Sequence, residues 1–103
     1  MYDLTGKIAL VTGIGGPVDS LGNGQAIAQL LARQGAVIEG TDINETAGAN
    51  TVSAIREAGG KAQCRTVDAV DQSEVESWVR ACFTQHGRID ILVNNVGQSE
   101  PGD

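Results

Sequence analysis

Short apolar runs alternate along this chain with segments in which apolar residues recur at helical spacing. The runs at 7–12, 36–42, 61–67 and 89–93 predict four β-strands. The segments 24–34, 45–58 and 72–86 predict three α-helices. Strands that alternate with helices imply right-handed crossovers and a parallel sheet. We therefore predict an α/β fold, a doubly wound parallel sheet in strand order 3-2-1-4, with the first two helices on one face and the third on the other.

Capping residues mark where the predicted helices begin and end. Asn44 is a favourable N-cap for the second helix, and Asp71 with Glu74 resembles a capping box at the start of the third. Gly87 is placed to end that third helix. The apolar stripe predicted for the third helix consists of Val75, Trp78, Val79, Cys82 and Phe83.

A glycine-rich segment (residues 13–24) lies between the first strand and the first helix. Strand, glycine turn and helix together place backbone N–H groups and the positive end of a helix against a phosphate. Glycine allows the phosphate to approach the backbone and allows positive φ. Taken alone the pattern is also consistent with glycines that only serve the turn.

Further motifs accompany this segment, and with them the chain resembles the N-terminal part of a short-chain dehydrogenase/reductase. The family pattern T-G-x-x-x-G-x-G is present at wider spacing, and the simplest alignment inserts residues 17–21. That insertion is either a surface bulge or a further contact to the cofactor. The residues that carry the resemblance are Thr12-Gly13, Gly22-Asn23-Gly24, Asp42, Asp68-Ala69 and Asn94-Asn95-Val96-Gly97.

The resemblance implies a Rossmann-type fold that binds a nicotinamide dinucleotide. The glycines would bring the backbone close to the pyrophosphate, with Ser20 as a further donor. Asp68 and Ala69 would lie near the adenine ring, and residues 94–97 would line the side of the nicotinamide ribose. The expected cofactor-binding residues are Gly13, Ser20, Gly22, Asn23, Gly24, Asp42, Ile43, Asp68, Ala69, Asn94, Asn95, Val96 and Gly97.

Asp42 favours NAD over NADP. It ends the second predicted strand, where a carboxylate accepts hydrogen bonds from the adenosine ribose and repels a 2′-phosphate. Neither Ile43 nor Asn44, the next two residues, offers a cation to that phosphate. The alternative is an aspartate that is solvated or supports the Asn44 cap.

No catalytic residue is predicted in this chain. The resemblance implies a Ser, a Tyr-x-x-x-Lys pair and an Asn, but the single tyrosine, Tyr2, has no lysine at that spacing. His86 suits a helix C-terminus rather than catalysis. We expect residues 1–103 to be the N-terminal part of one NAD-binding domain, whose whole protein transfers hydride between nicotinamide and an alcohol or carbonyl. The alternative is a non-catalytic module that binds a nucleotide or a protein.

Composition limits the partners and the location. The net charge is −6 over 103 residues, and no Lys/Arg cluster suggests nucleic-acid binding. No apolar stretch approaches the roughly 20 residues of a membrane span. Cys64 and Cys82 lack metal-type spacing, which predicts reduced thiols, a cytoplasmic location and no metal site. The expected partners are a small-molecule substrate of the complete protein and either further copies of it or a second chain that completes the sheet.

Overall fold

The computed structural model describes residues 3–15 and 24–94. Within these residues the chain alternates strands and helices as predicted, and the strands form one parallel sheet in the predicted order β3-β2-β1-β4. The elements in chain order are β1 (Ile8–Thr12), α1 (Gly24–Arg33), β2 (Val37–Asp42), α2 (Glu45–Glu57), β3 (Lys61–Thr66), α3 (Gln72–His86) and β4 (Ile91–Val93).

The strand register brings all the strand ends to one edge. Thr12 pairs with Thr41, Asp42 pairs with Thr66, and Val11 pairs with Val93. Because the strands are parallel, the residues that follow each of them lie along this carboxyl edge, where open α/β sheets bind ligands.

Both faces of the sheet are covered by helices, as predicted. The cluster on the α1 and α2 face contains Val52 and Ile55 of α2 together with residues of β1 and β2. On the other face, Trp78 and Cys82 of α3 pack against Ile8, Leu10 and Val67. The two central strands, β1 and β2, are thus buried on both sides, as is usual for a parallel sheet.

The predicted caps of α2 and α3 are confirmed. The Asn44 side chain accepts from the Ala47 N–H, and the Asp71 side chain accepts from the N–H groups of Ser73 and Glu74. Gly87 ends α3 with φ of 76°, in the left-handed region.

Two details differ from the sequence-based expectation. Phe83, predicted to be on the inward stripe of α3, is 55% exposed, because Trp78 and Cys82 already define the face toward the sheet. β4 begins at Ile91 rather than at residue 89. Before it, the Asp90 carboxylate binds the Arg88 guanidinium and accepts a hydrogen bond from the Ile8 N–H at 2.8 Å. The Arg88 contact, and then the Ile8 contact, lower the pKa of Asp90.

Among the helices that the structure describes, none is long and apolar enough to cross a membrane.

Candidate functional site

The carboxyl edge brings together the predicted site residues that the structure describes. Gly13 follows β1, Asp42 ends β2, Asp68 lies just beyond β3, and Asn94 follows β4. Gly24 begins α1 at the same edge. Ile43 and Ala69 follow directly after Asp42 and Asp68, and Ile43 is exposed. The remaining predicted residues, Ser20, Gly22, Asn23, Asn95, Val96 and Gly97, lie outside the described residues, as does the insertion at 17–21.

Gly24 joins the start of α1 to the end of β1. A Cβ atom at Gly24 would lie 2.5 Å from the Gly13 carbonyl oxygen and 2.8 Å from that of Thr12. Only glycine therefore lets the helix pack this closely on the strand, which is one of the roles glycine has in dinucleotide-binding turns. Gly13 itself has φ of 67°, a conformation that side chains disfavour.

The Asp42 carboxylate is held by two backbone donors. Its Oδ2 accepts from the Gly15 N–H at 2.8 Å, and its Oδ1 accepts from the Asn44 N–H at 2.8 Å. A carboxylate offers about four lone-pair positions, so each oxygen retains capacity for a further donor. Asp42 is thus fixed in orientation and still able to accept hydrogen bonds from a ligand. Within residues 3–15 and 24–94 no ion pair forms on it.

The turn after β3 is organised around Asp68. Its carboxylate accepts from the Val70 N–H at 3.1 Å, and its own N–H donates to the Glu74 carboxylate at 3.0 Å. Glu74 therefore reaches back beyond the Asp71 cap, to Asp68, instead of closing the standard capping box. The result fixes Asp68 and the adjacent Ala69 in the turn that leads into α3.

Asn94 lies beside β1 at the far side of the edge. The buried Thr12 hydroxyl lies 3.4 Å from Asn94 Oδ1 and 3.5 Å from the Val93 carbonyl oxygen. These contacts link the end of β4 to the end of β1, where the glycine-rich segment begins.

A buried polar cluster under α3 was missed from the sequence. His86 Nε2 lies 2.6 Å from Glu39 Oε2, and the Gln63 amide donates to the same oxygen at 2.6 Å. Glu39 is only 6% exposed. Its position within the apolar run of β2 was the available signal, because a buried carboxylate requires hydrogen-bonding partners. This cluster lies under α3, and we assign it a structural role.

The described residues contain no group of three or more His, Cys, Asp or Glu side chains placed to hold a metal ion.

Comparison with curated proteins gives the same family as the motifs. The sequence model described as short chain dehydrogenase matches residues 7–103. An uncharacterized oxidoreductase of Methylorubrum extorquens is 42% identical over 101 residues, which cover 97% of this chain and 39% of that protein. The 7alpha-hydroxysteroid dehydrogenase of Escherichia coli K12 is 35% identical over 98 residues, which cover 95% of this chain and 36% of that enzyme.

Solved structures agree. A short-chain dehydrogenase/reductase from Burkholderia xenovorans superposes with a TM-score of 0.88 at 40% identity, covering 99% of this chain and 40% of that one. A metagenomic short-chain oxidoreductase in complex with NADP gives 0.81 at 30% identity, covering 91% of this chain and 40% of that one. A 7 alpha-hydroxysteroid dehydrogenase complexed with NADH and 7-oxo glycochenodeoxycholic acid superposes with a TM-score of 0.78 at 33% identity, covering 89% of this chain and 34% of that one.

The chain thus spans between 34% and 40% of the length of these relatives. The resemblance deduced from the motifs is confirmed. With the family model matched over residues 7–103 and the parallel sheet in the expected order, the chain belongs to the short-chain dehydrogenase family of oxidoreductases.

Proposed function

We propose that residues 1–103 are the N-terminal, NAD-binding part of a short-chain oxidoreductase that transfers hydride between nicotinamide and an alcohol or carbonyl. The observation that carries this proposal is the fixed carboxylate of Asp42 at the carboxyl edge of the sheet. It stands where an adenosine ribose is held in dinucleotide-binding folds.

The residues present fit such a cofactor. The edge combines a positive-φ glycine at Gly13, the amino end of α1 and the Asp42 acceptor. The positive end of a helix dipole favours the pyrophosphate, and a carboxylate with free lone pairs suits ribose hydroxyls. When bound, the nicotinamide would accept or donate the hydride, while this part of the chain would bind and orient the dinucleotide.

Asp42 also supports a preference for NAD over NADP. The 2′-phosphate of NADP would have to approach a carboxylate that two N–H groups hold in place. Two negative charges in contact repel each other, which disfavours NADP. The solved relatives include complexes with both NADP and NADH, so the family alone leaves the choice open.

Each predicted contact has its own role in this proposal. The pyrophosphate would be surrounded by Gly13, Ser20, Gly22, Asn23 and Gly24. Ile43, Asp68 and Ala69 would border the adenosine. On the nicotinamide side we place Asn94, Asn95, Val96 and Gly97.

The substrate would be a small molecule bound by the complete protein, and we place no catalytic residue in this chain. The exposed Phe83 and Leu92, at 55% and 61%, lie on α3 and on β4, which is at an edge of the described sheet. We propose that further polypeptide covers them. It would be either the rest of the same protein, which would form a homo-oligomer, or a second chain that completes the sheet.

We further propose a cytoplasmic location, because Cys64 and Cys82 are unpaired thiols.

The alternative is a non-catalytic module that binds a nucleotide or, along β4, a protein. The exposure of Leu92 on β4 favours its protein-binding form. The intact mass of the native protein distinguishes the two: a mass more than twice that of this chain, with hydride transfer, supports the oxidoreductase. A native protein of 103 residues that binds nucleotide without turnover supports the module.

A calorimetric titration with NAD tests the cofactor site. In the complete polypeptide, Asp42→Ala should weaken NAD binding by at least about tenfold. Glu57→Ala is the control, because it removes an exposed carboxylate at the other end of α2, away from the carboxyl edge, and it should leave NAD affinity unchanged. Absence of NAD binding to the unmodified protein would contradict the proposed function.

A further inference from the structure

Thr51 is a buried threonine on α2 whose hydroxyl points out of its own helix. It is 1% exposed, and its Oγ1 donates to the backbone carbonyl of Ile14 at 2.9 Å. Threonine within a helix often donates instead to the carbonyl four residues earlier. Here that acceptor, Ala47, is 3.4 Å away, so the bond to Ile14 is the shorter one.

The segment that Thr51 contacts is the beginning of the glycine-rich segment. The Ile14 N–H donates to the Thr41 carbonyl at 3.0 Å, and the Gly15 N–H donates to Asp42 at 2.8 Å. Together with the Thr51 bond, three consecutive polar groups of Ile14 and Gly15 are bonded to β2 and α2. These residues are therefore attached to the second βα unit of the fold.

Close packing enforces the same attachment. A Cβ atom at Gly15 would lie 2.5 to 2.7 Å from backbone and side-chain atoms of Ala47, one turn before Thr51. The Ile14 side chain is fully buried and packs directly on Gly40. Since the backbone of the segment lies against α2 without intervening space, a shift at Thr51 is transmitted to Gly15.

We propose that Thr51 is a positioning residue of the dinucleotide site, which fixes Ile14 and Gly15 so that the Gly15 N–H meets the Asp42 carboxylate. Without the hydroxyl, the buried Ile14 carbonyl loses its side-chain donor, and a buried acceptor left unsatisfied is unfavourable. The segment then moves, and the phosphate-binding and ribose-binding parts of the site lose their alignment. This inference rests on the proposed function.

The test compares Thr51→Val, which keeps the shape and removes the hydroxyl, with Thr51→Ser, which keeps the hydroxyl. Ile55→Ala is the control for destabilisation, because Ile55 is buried on the same helix and packs against Gly60. In the complete polypeptide, calorimetry with NAD and with ADP should give at least about tenfold weaker binding for Thr51→Val. Thr51→Ser and Ile55→Ala should remain within about threefold of the unmodified protein.

Kinetics give an independent readout. Thr51→Val should raise KM for NAD and leave kcat unchanged, since it removes binding that is equal in the ground and transition states. If the unmodified protein binds NAD and Thr51→Val binds it equally well, the positioning role is wrong while the proposed function stands. If the unmodified protein binds neither NAD nor ADP, both are wrong.

A second variant covers the case in which Thr51→Val does not fold. Thr51→Ala removes the hydroxyl without placing a methyl group against the Ile14 carbonyl. Hydrogen exchange of the Gly15 amide, without nucleotide, should then be faster in Thr51→Ala than in Thr51→Ser. Equal exchange in the two variants would overturn the proposal.

Discussion

The Asp42 carboxylate and the Gly15 N–H meet at 2.8 Å although 27 residues separate them in sequence. The bond joins the end of β2 to the segment that follows β1. The residue proposed to bind ribose and the segment proposed to bind pyrophosphate are therefore one structural unit. Each of them depends on the other for its position.

This link predicts that Asp42 contributes to stability even without cofactor. Asp42→Ala leaves the part-buried Gly15 N–H without its side-chain acceptor, which should lower the free energy of unfolding by about 1–3 kcal/mol, whereas water can replace the acceptor of the exposed Asn44 N–H. Asp42→Asn retains one acceptor oxygen and should lose less. Urea unfolding of the complete polypeptide measures both, and equal stability of Asp42→Ala and the unmodified protein would contradict the link.

Gly24 should be intolerant of any side chain. Gly24→Ala places a Cβ atom against the carbonyls of Thr12 and Gly13, so α1 must move away from β1, at a cost of about 1–3 kcal/mol. Gly87→Ala is the control, because that glycine has open space around it and only a positive φ to lose. Urea unfolding measures the stability of both variants, and calorimetry should show weaker NAD binding only for Gly24→Ala. Equal NAD affinity in the two variants would contradict a role at the site.

Much of the fold could be predicted because its signals are local. The apolar runs of the strands, the caps at Asn44 and Asp71 and the ending at Gly87 depend on neighbouring residues. The predicted strand order is that of the doubly wound α/β pattern. The pairing of Glu39 with His86 could not be predicted, because it depends on how α3 lies across the sheet. The outward position of Phe83 depends on the same packing.

At the site, the sequence correctly predicted that Asp42 and Asp68 lie at the carboxyl edge of the sheet, but it did not predict the hydrogen bonds that they form. Asp42 has the Asn44 contact of the simpler alternative and, in addition, the Gly15 contact that the motif did not indicate. Thr51 gave no signal at all, since a threonine within a helix is ordinary. Its role follows only from the approach of α2 to Ile14.

The Glu39 cluster should respond to loss of its histidine. Among the described residues, His86→Ala leaves Gln63 as the hydrogen-bonding partner of the buried Glu39 carboxylate, which should lower the free energy of unfolding by about 1–3 kcal/mol. Thr84→Ala, on an exposed position of the same helix, should change it by less than about 0.5 kcal/mol. NAD affinity should be unchanged in both variants, and a loss of binding in His86→Ala would contradict a purely structural cluster.

Stability should fall at alkaline pH. Burial, and then the Glu39 charge, raise the pKa of the Cys82 thiol from 9.0 to about 11, while Arg65 lowers it. Burial, and then Asp42, raise the pKa of Cys64 to about 11 as well. The unfolded chain therefore loses these protons first, so the contribution to stability is complete below about pH 9 and is lost as pH rises through about 11.

Urea unfolding over this pH range measures the effect. Cys82→Ala should show a shallower alkaline decline than the unmodified protein. An identical decline in the two proteins would contradict the raised pKa of Cys82.

Residues 1–103 expressed alone should associate and show no dehydrogenase activity. Phe83 and Leu92 are more than half exposed, and β4 presents an unpaired strand edge in the described sheet. Sedimentation should reveal association that is reduced by the pair of substitutions Phe83→Lys and Leu92→Lys. A monomer with a sharp two-state thermal transition would contradict this expectation and favour the binding module.

The proposed function depends above all on Asp42, which we expect to make this a site for NAD rather than NADP. The most direct measurement is the ratio of the dissociation constants of NADP and NAD, obtained by calorimetry on the unmodified complete polypeptide, since no substitution then disturbs the Gly15 contact. We expect NAD binding at least about tenfold tighter than NADP binding, a difference of about 1.4 kcal/mol. NADP binding equal to or tighter than that of NAD would contradict it.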